Sequence, residues 1–166
     1  EAGRVKNITL AASKFDGLVI PPDAVFSFND IVGEISGATG YDETLIIVDN
    51  QTQRGAGGGV CQVSTTLYRA AFWSGLPIVE RWAHAYRVSY YEQGNKPLGL
   101  EATIFTPNVD LRFKNDTGKP ILIQTAVNPA NSSLTVRFYG TKPAREVSIE
   151  GPTSSNRQPP GPPAYQ

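Results

Sequence analysis

Hydrophobic positions along this chain change their period twice. Over residues 4–15, Val5, Ile8, Ala11, Ala12 and Phe15 fall at helical spacing, and Gly17 follows where a C-terminal cap belongs. This predicts a short N-terminal helix. Leu18, Val19 and Ile20 then read as extended, Pro21-Pro22-Asp23 as a turn, and Val25-Phe26-Ser27-Phe28 alternates as a strand does. Residues 29–41, broken by Gly33, Gly37 and Gly40, read as loop. Residues 45–48 form a short apolar strand, and Asp49-Asn50-Gln51 turns the chain. The helical period returns over 61–74 and stops at Gly75 and Pro77. On this second helix Val63, Leu67, Ala70, Ala71 and Ser74 share one face, expected to be core. Cys61, Ser64, Thr65, Tyr68 and Phe72 share another, expected to surround the thiol.

From residue 78 the pattern is strand after strand. Residues 78–82, 86–91, 101–105, 109–114, 120–127 and 134–139 are rich in β-branched and aromatic side chains. Turn signals at 92–95, 115–118 and 128–131 separate some of them, and 146–149 reads as one more strand. The predicted class is α+β, with a short N-terminal helix and one central Cys-bearing helix packed on a mainly antiparallel sheet. Residues 1–150 form one domain. Beyond Gly151 the Pro-rich segment 151–166 cannot build a core and reads as an extended linker or tail.

Composition narrows the function classes. Only 18% of the 166 residues are charged and the formal net charge is zero, so nothing attracts the chain to nucleic acid or anionic lipid in bulk. One cysteine precludes an internal disulfide and leaves the redox compartment open. Asn-x-Ser/Thr patterns start at Asn7, Asn50, Asn115 and Asn131, and have meaning only where the host glycosylates exported proteins. The chain starts at Glu1 and contains no methionine, which reads as a processed or excised chain; any membrane tether would lie in missing segments.

The candidate chemistry centres on Cys61. A glycine-rich loop, Gly55-Ala56-Gly57-Gly58-Gly59, runs into the only cysteine where a helix begins. Such a position lowers a thiol pKa, and the glycines would let backbone approach a bound group. The only histidine, His84, is the candidate base, and Glu101 the candidate carboxylate that orients it, with Asp110 as alternate. Gly57, Gly58, Gly59, Gln62 and Tyr68 are the candidate binding residues, the loop N–H groups serving as an oxyanion hole or a peptide-binding edge. For Ser64 and Thr65 ordinary packing is the preferred role. Trp73, Trp82, Tyr86, Tyr90 and Tyr91 could form an aromatic wall, or belong to the core. The loop lacks the Gly-Lys-Ser/Thr ending of a phosphate-binding loop. One Cys and one His do not complete a zinc shell, so no metal and no cofactor is expected.

Phe26-Ser27-Phe28-Asn29, Gly40-Tyr41, the run from Gly57 to Tyr68, Val79-Glu80-Arg81 with His84, Val88-Ser89-Tyr90, Asp110 to Asn115 and Pro120 to Ile123 together resemble the VanW-like family. The resemblance covers residues 4–139 and departs where the family's Gly-x-Asp-Ala becomes Gly99-Leu100-Glu101-Ala102. It implies a bacterial envelope protein, outside the cell and associated with antibiotic resistance, with a cell-wall peptide or an envelope protein as partner. Two functions follow. One is a thiol hydrolase or transpeptidase acting on peptide or peptidoglycan-stem amides through Cys61 and His84. The other is a non-catalytic binding or structural module, self-assembling into homo-oligomers through extended termini.

Overall fold

The computed structural model describes residues 2–48, 51–94, 96–151 and 153. Among the described residues, three α-helices and eight strands make an α+β fold, with the antiparallel strands divided among three small sheets. Helix α1 (Ala2–Ser13) buries Asn7, Ile8, Ala11 and Ala12 on one stripe and packs against α3 (Val60–Trp73), which buries Val63, Leu67 and Ala71. Strand β1 (Val19–Ile20) pairs with β7 (Ile121–Asn128), which pairs with β8 (Ser133–Tyr139). Strand β2 (Val25–Ser27) pairs with β6 (Arg112–Lys114), which pairs in turn with β5 (Ile78–Glu80). Strands β3 (Glu43–Val48) and β4 (Gln51–Ala56) form a separate hairpin.

Aromatic side chains fuse the layers. Phe15 lies 4.7 Å from Phe28 between ring centroids, and Phe26 stacks on Phe113 at 4.4 Å. All four rings are buried, joining the end of α1 to the β2–β6 pair.

Several sequence expectations are corrected. The first helix begins at Ala2 and ends at Ser13, with Phe15 in the following turn. Residues 29–41 are not all loop: Phe28–Val32 is a one-turn helix, α2, because Ser27 accepts from the Asp30 N–H as its N-cap, and Gly37–Thr39 is a 3-10 turn. Residues 51–56 are strand β4, although Gln, Thr, Arg and Gly dominate them, because each pairs in register with a residue of β3. Residues 86–91 are not a strand; the chain loops there and closes as a 3-10 turn, Ser89–Glu92. Residues 101–105 are held by the isolated bridges Trp82–Thr103 and Phe105–Val109 rather than a full ladder, and 109–114 pairs only over Arg112–Lys114. Residues 146–149 form no strand. The expected turn at Asp49-Asn50, part of that at 92–95 and nearly all of the Pro-rich tail lie outside the described residues.

Two of the four Asn-x-Ser/Thr asparagines are core residues. Asn7 donates to the Asp42 and Gly58 carbonyls at 3.0 and 3.1 Å and accepts from the Asp42 N–H at 2.8 Å. Asn115 donates to the carbonyls of Ile20, Pro21 and Lys119. Both are fully buried, so in the folded protein neither amide is open to a glycan.

Candidate active site

The glycine loop sets the sulfur in place by packing. A Cβ on Gly58 would lie 2.1 Å from Thr44 Oγ1 and 2.3 Å from the Leu45 carbonyl, so only glycine lets the loop dock on β3. The Gly58 carbonyl takes hydrogen bonds from Asn7 and Thr44. Gly59, at φ 110°, is the N-cap of α3, a conformation that favours glycine. The glycines thus serve the approach of loop to strand and helix.

Cys61 follows in the first turn of α3. Its sulfur lies 3.6 Å from Thr103 Oγ1 and 3.7 Å from the Ile104 carbonyl. Val60 and Gln62 N–H groups are taken by the Gly57 and Gly59 carbonyls. The intervening Cys61 N–H has no backbone acceptor outside the helix among the described residues, as expected of a first-turn amide.

His84 and Glu101 come from two segments held side by side. The Thr103 N–H donates to the Trp82 carbonyl at 2.9 Å, and Arg81 Nε donates to the Glu101 carbonyl at 2.6 Å. The His84 Nδ1 and Glu101 Oε2 atoms are consequently 2.7 Å apart, with side chains only 4% and 14% exposed. That contact leaves Nε2 as the ring nitrogen available to the sulfur.

Electrostatics couple the three groups. Burial pushes the Cys61 thiol up, yet the neighbouring His84, with Ile104 and the Thr103 hydroxyl, brings it below its ordinary value. Burial pushes His84 down, yet Cys61 and then Glu101 carry it above its ordinary value. The two shifts have opposite sign, as an imidazolium–thiolate pair requires.

The sulfur and His84 line one cavity of about 210 Å³. Gly57, Gly58 and Gly59 form part of its wall, and Leu45, Ile47 and Phe105 make an apolar side. Tyr90 and Tyr91 also border it, with the Tyr91 ring 5.5 Å from His84. Burial drives the Tyr91 phenol upward, so it remains neutral.

Other candidate residues stand elsewhere. Tyr68 is buried, with the Arg81 guanidinium 5.4 Å from its ring, and is not in the cavity wall. Gln62 accepts from Arg4 at 3.0 Å and does not line the cavity either. Asp110 lies away from His84: it accepts from Ser27 Oγ at 2.6 Å and the Asn29 N–H at 2.9 Å, securing the start of α2. Trp73 packs edge-on to Phe72, and Tyr86 hydrogen-bonds Thr52, so neither joins a wall around the sulfur. Ser64 and Thr65 do not face the cleft; both hydroxyls donate to the Ala102 carbonyl, and Thr65 also accepts from the Ala102 N–H. Among the described residues, no group of three His, Cys, Asp or Glu side chains could hold a metal, and no helix is long and apolar enough to cross a membrane.

Sequence reasoning missed Thr103, Arg69 and Arg4. Arg69 donates to the Leu100 and Tyr91 carbonyls at 2.7 and 2.6 Å, tying α3 to both segments that border the site. A charged residue on a largely buried helix was the available signal.

The family described as "VanW like protein" matches residues 3–139. Among curated proteins, the chain is 41% identical over 121 residues to the Uncharacterized protein YoaR of Bacillus subtilis, covering 73% of this chain and 38% of that protein. It is 31% identical over 117 residues to the Vancomycin B-type resistance protein VanW of Enterococcus faecalis, covering 70% of this chain and 42% of that protein. The aligned part therefore spans about two fifths of each relative's length. No solved structure matches.

Proposed function

The chain belongs to the VanW-like family, and we propose that its domain is a thiol acyltransferase of the bacterial cell surface, cleaving peptide or peptidoglycan-stem amides by hydrolysis or transpeptidation. The observation that carries this reading is the His84–Glu101 contact of 2.7 Å beside the cavity that holds the Cys61 sulfur.

The Cys61 thiolate adds to the amide carbonyl carbon, and the Cys61 N–H faces the developing oxyanion from the helix start. His84, protonated in the resting pair, gives its proton to the departing amine as the C–N bond breaks. A thioester remains on the sulfur. Water or an acceptor amine then loses a proton to His84 and attacks the thioester, releasing the acid or a new amide and restoring the thiolate. Glu101 holds the imidazole in orientation and stabilises its charged form. The cell-wall substrate class is in keeping with a relative named for vancomycin resistance.

The test is the pH dependence of Cys61 alkylation in the wild type and in His84→Ala. Reaction persisting well below pH 7 in the wild type, and lost in the variant, is expected of the pair. An ordinary thiol profile indifferent to His84 would leave a binding or structural module in the envelope.

A further inference from the structure

Among the described residues, the cavity beside Cys61 has one permanently charged wall residue, Arg4, from the first turn of α1. Its surroundings are unusual for a half-buried arginine. One guanidinium nitrogen donates to Gln62 Oε1 at 3.0 Å and to the Tyr90 hydroxyl at 3.2 Å, and the group sits 5.3 Å from the Tyr90 ring centroid. Both acceptors are neutral. Among the described residues no carboxylate lies within ion-pair distance of Arg4, and Nε and the other terminal nitrogen have no protein acceptor.

The position is fixed as well as uncompensated. The side-chain stem lies against Gly59, whose added Cβ would be 3.0 Å from Arg4 Cγ, so the stem follows the loop that leads to Cys61. Gln62, one residue beyond the sulfur-bearing residue, then clamps the head. A cation held at the positive end of α3 gains nothing from the helix. Glu101, the acid of the site, is engaged by His84. The rest of the wall near the hairpin is Leu45, Ile46, Ile47 and Val48, which offer an anion nothing. Among the described residues Arg4 thus has no anionic partner, and a guanidinium with free donors suits a carboxylate brought in from solution.

We propose that Arg4 is the substrate-carboxylate anchor of this cleft, selecting acyl donors that carry a free carboxylate close to the amide attacked by Cys61. The inference rests on the thiol reading above and narrows its substrate class to peptides cleaved near a free carboxyl terminus. Arg4 binds and selects; Cys61 and His84 carry the bond changes.

Two alkylating agents of nearly equal size test it. Iodoacetate carries a carboxylate and iodoacetamide does not, and the ratio of their rate constants at Cys61 reads the anion preference of the cleft. The ratio is expected to fall about fivefold in Arg4→Gln and to recover in Arg4→Lys, which restores charge at the same stem. In the unaltered protein, N-acetylalanine is expected to slow iodoacetamide alkylation more than its C-terminal amide does, a comparison that needs no variant. A ratio indifferent to Arg4, or equal effects of acid and amide, overturns the anchor while leaving a reactive Cys61 intact. A native thiol that neither reagent modifies below pH 7 overturns both the anchor and the reading beneath it.

Discussion

Glu101 Oε2 and His84 Nδ1 meet at 2.7 Å in a nearly dry setting, and the residue that brings them together is neither of them. Arg81 fixes the Glu101 backbone, and the Trp82–Thr103 bridge aligns the chain on either side. The Glu101 side chain is therefore already placed against the imidazole.

Replacing that carboxylate tests its role. Glu101→Gln preserves shape but removes the charge that supports imidazolium. We expect the low-pH limb of Cys61 alkylation to move toward higher pH, with reactivity at pH 6 falling at least about tenfold. Glu101→Asp should recover only part, because the shorter side chain draws the carboxylate away from Nδ1. Unchanged profiles in both variants would reduce Glu101 to a packing residue.

A single histidine and a single cysteine make the pair directly readable. The His84 proton resonances should titrate above the ordinary value of 6.5, and thiolate absorbance should persist below the ordinary value of 9.0. In Cys61→Ser the His84 value should fall, because the sulfur supplies the largest upward influence on the ring. The stability signs are opposite. The His84 contribution is full below its unfolded value and is lost as pH rises through the raised folded value. The Cys61 contribution is present above its unfolded value and is lost as pH falls through the lowered folded value. A His84 titration unmoved by Cys61→Ser would dissolve the pair.

The local signals of this chain were legible where backbone and burial agree. The α1 and α3 stripes, the β7–β8 ladder and the Cys61 helix start follow from hydrophobic period and glycine placement. Residues 86–91 and 101–105 misled because their aromatic and β-branched side chains serve the site and core instead of a ladder. Tyr91 closes against His84, and Ala102 is seized by Ser64 and Thr65. Strand β4 was hidden for the converse reason, since polar residues become a strand when a neighbouring edge supplies their hydrogen bonds. Asn7 and Asn115 carried a surface motif yet act as core polar braces, a role visible only once Asp42, Gly58 and Ile20 are brought to them.

The Thr65–Ala102 exchange gives a prediction about support of the site. Thr65 Oγ1 accepts from the Ala102 N–H at 3.1 Å and donates to its carbonyl at 3.2 Å, between Glu101 and Thr103. Thr65→Val keeps the shape and strands the Ala102 N–H in the core. The expected loss is about 1–3 kcal/mol in chemical denaturation, with slower Cys61 alkylation at low pH because Glu101 loses its anchorage. A variant equal to wild type in both measurements would show that Ser64, which also donates to Ala102 at 2.6 Å, is sufficient.

Gly58→Ala separates the packing role of the glycine loop from a ligand role. Its Cβ would meet the Thr44 hydroxyl at 2.1 Å and the Leu45 carbonyl at 2.3 Å, and the latter is backbone that cannot swing aside. The loop must shift off β3, and the Gly58 carbonyl must then lose its bonds from Asn7 and Thr44. We expect a destabilisation of about 2–4 kcal/mol, the sum of an overpacking and a hydrogen-bond penalty. The pH profile of Cys61 should relax toward an ordinary thiol, because the start of α3 moves with the loop. Relief of the clash by Thr44→Ser, which keeps the hydroxyl, should be slight, since the Leu45 carbonyl remains. A Gly58→Ala protein with wild-type stability and a wild-type profile would instead mean that the loop glycines are free for a bound group.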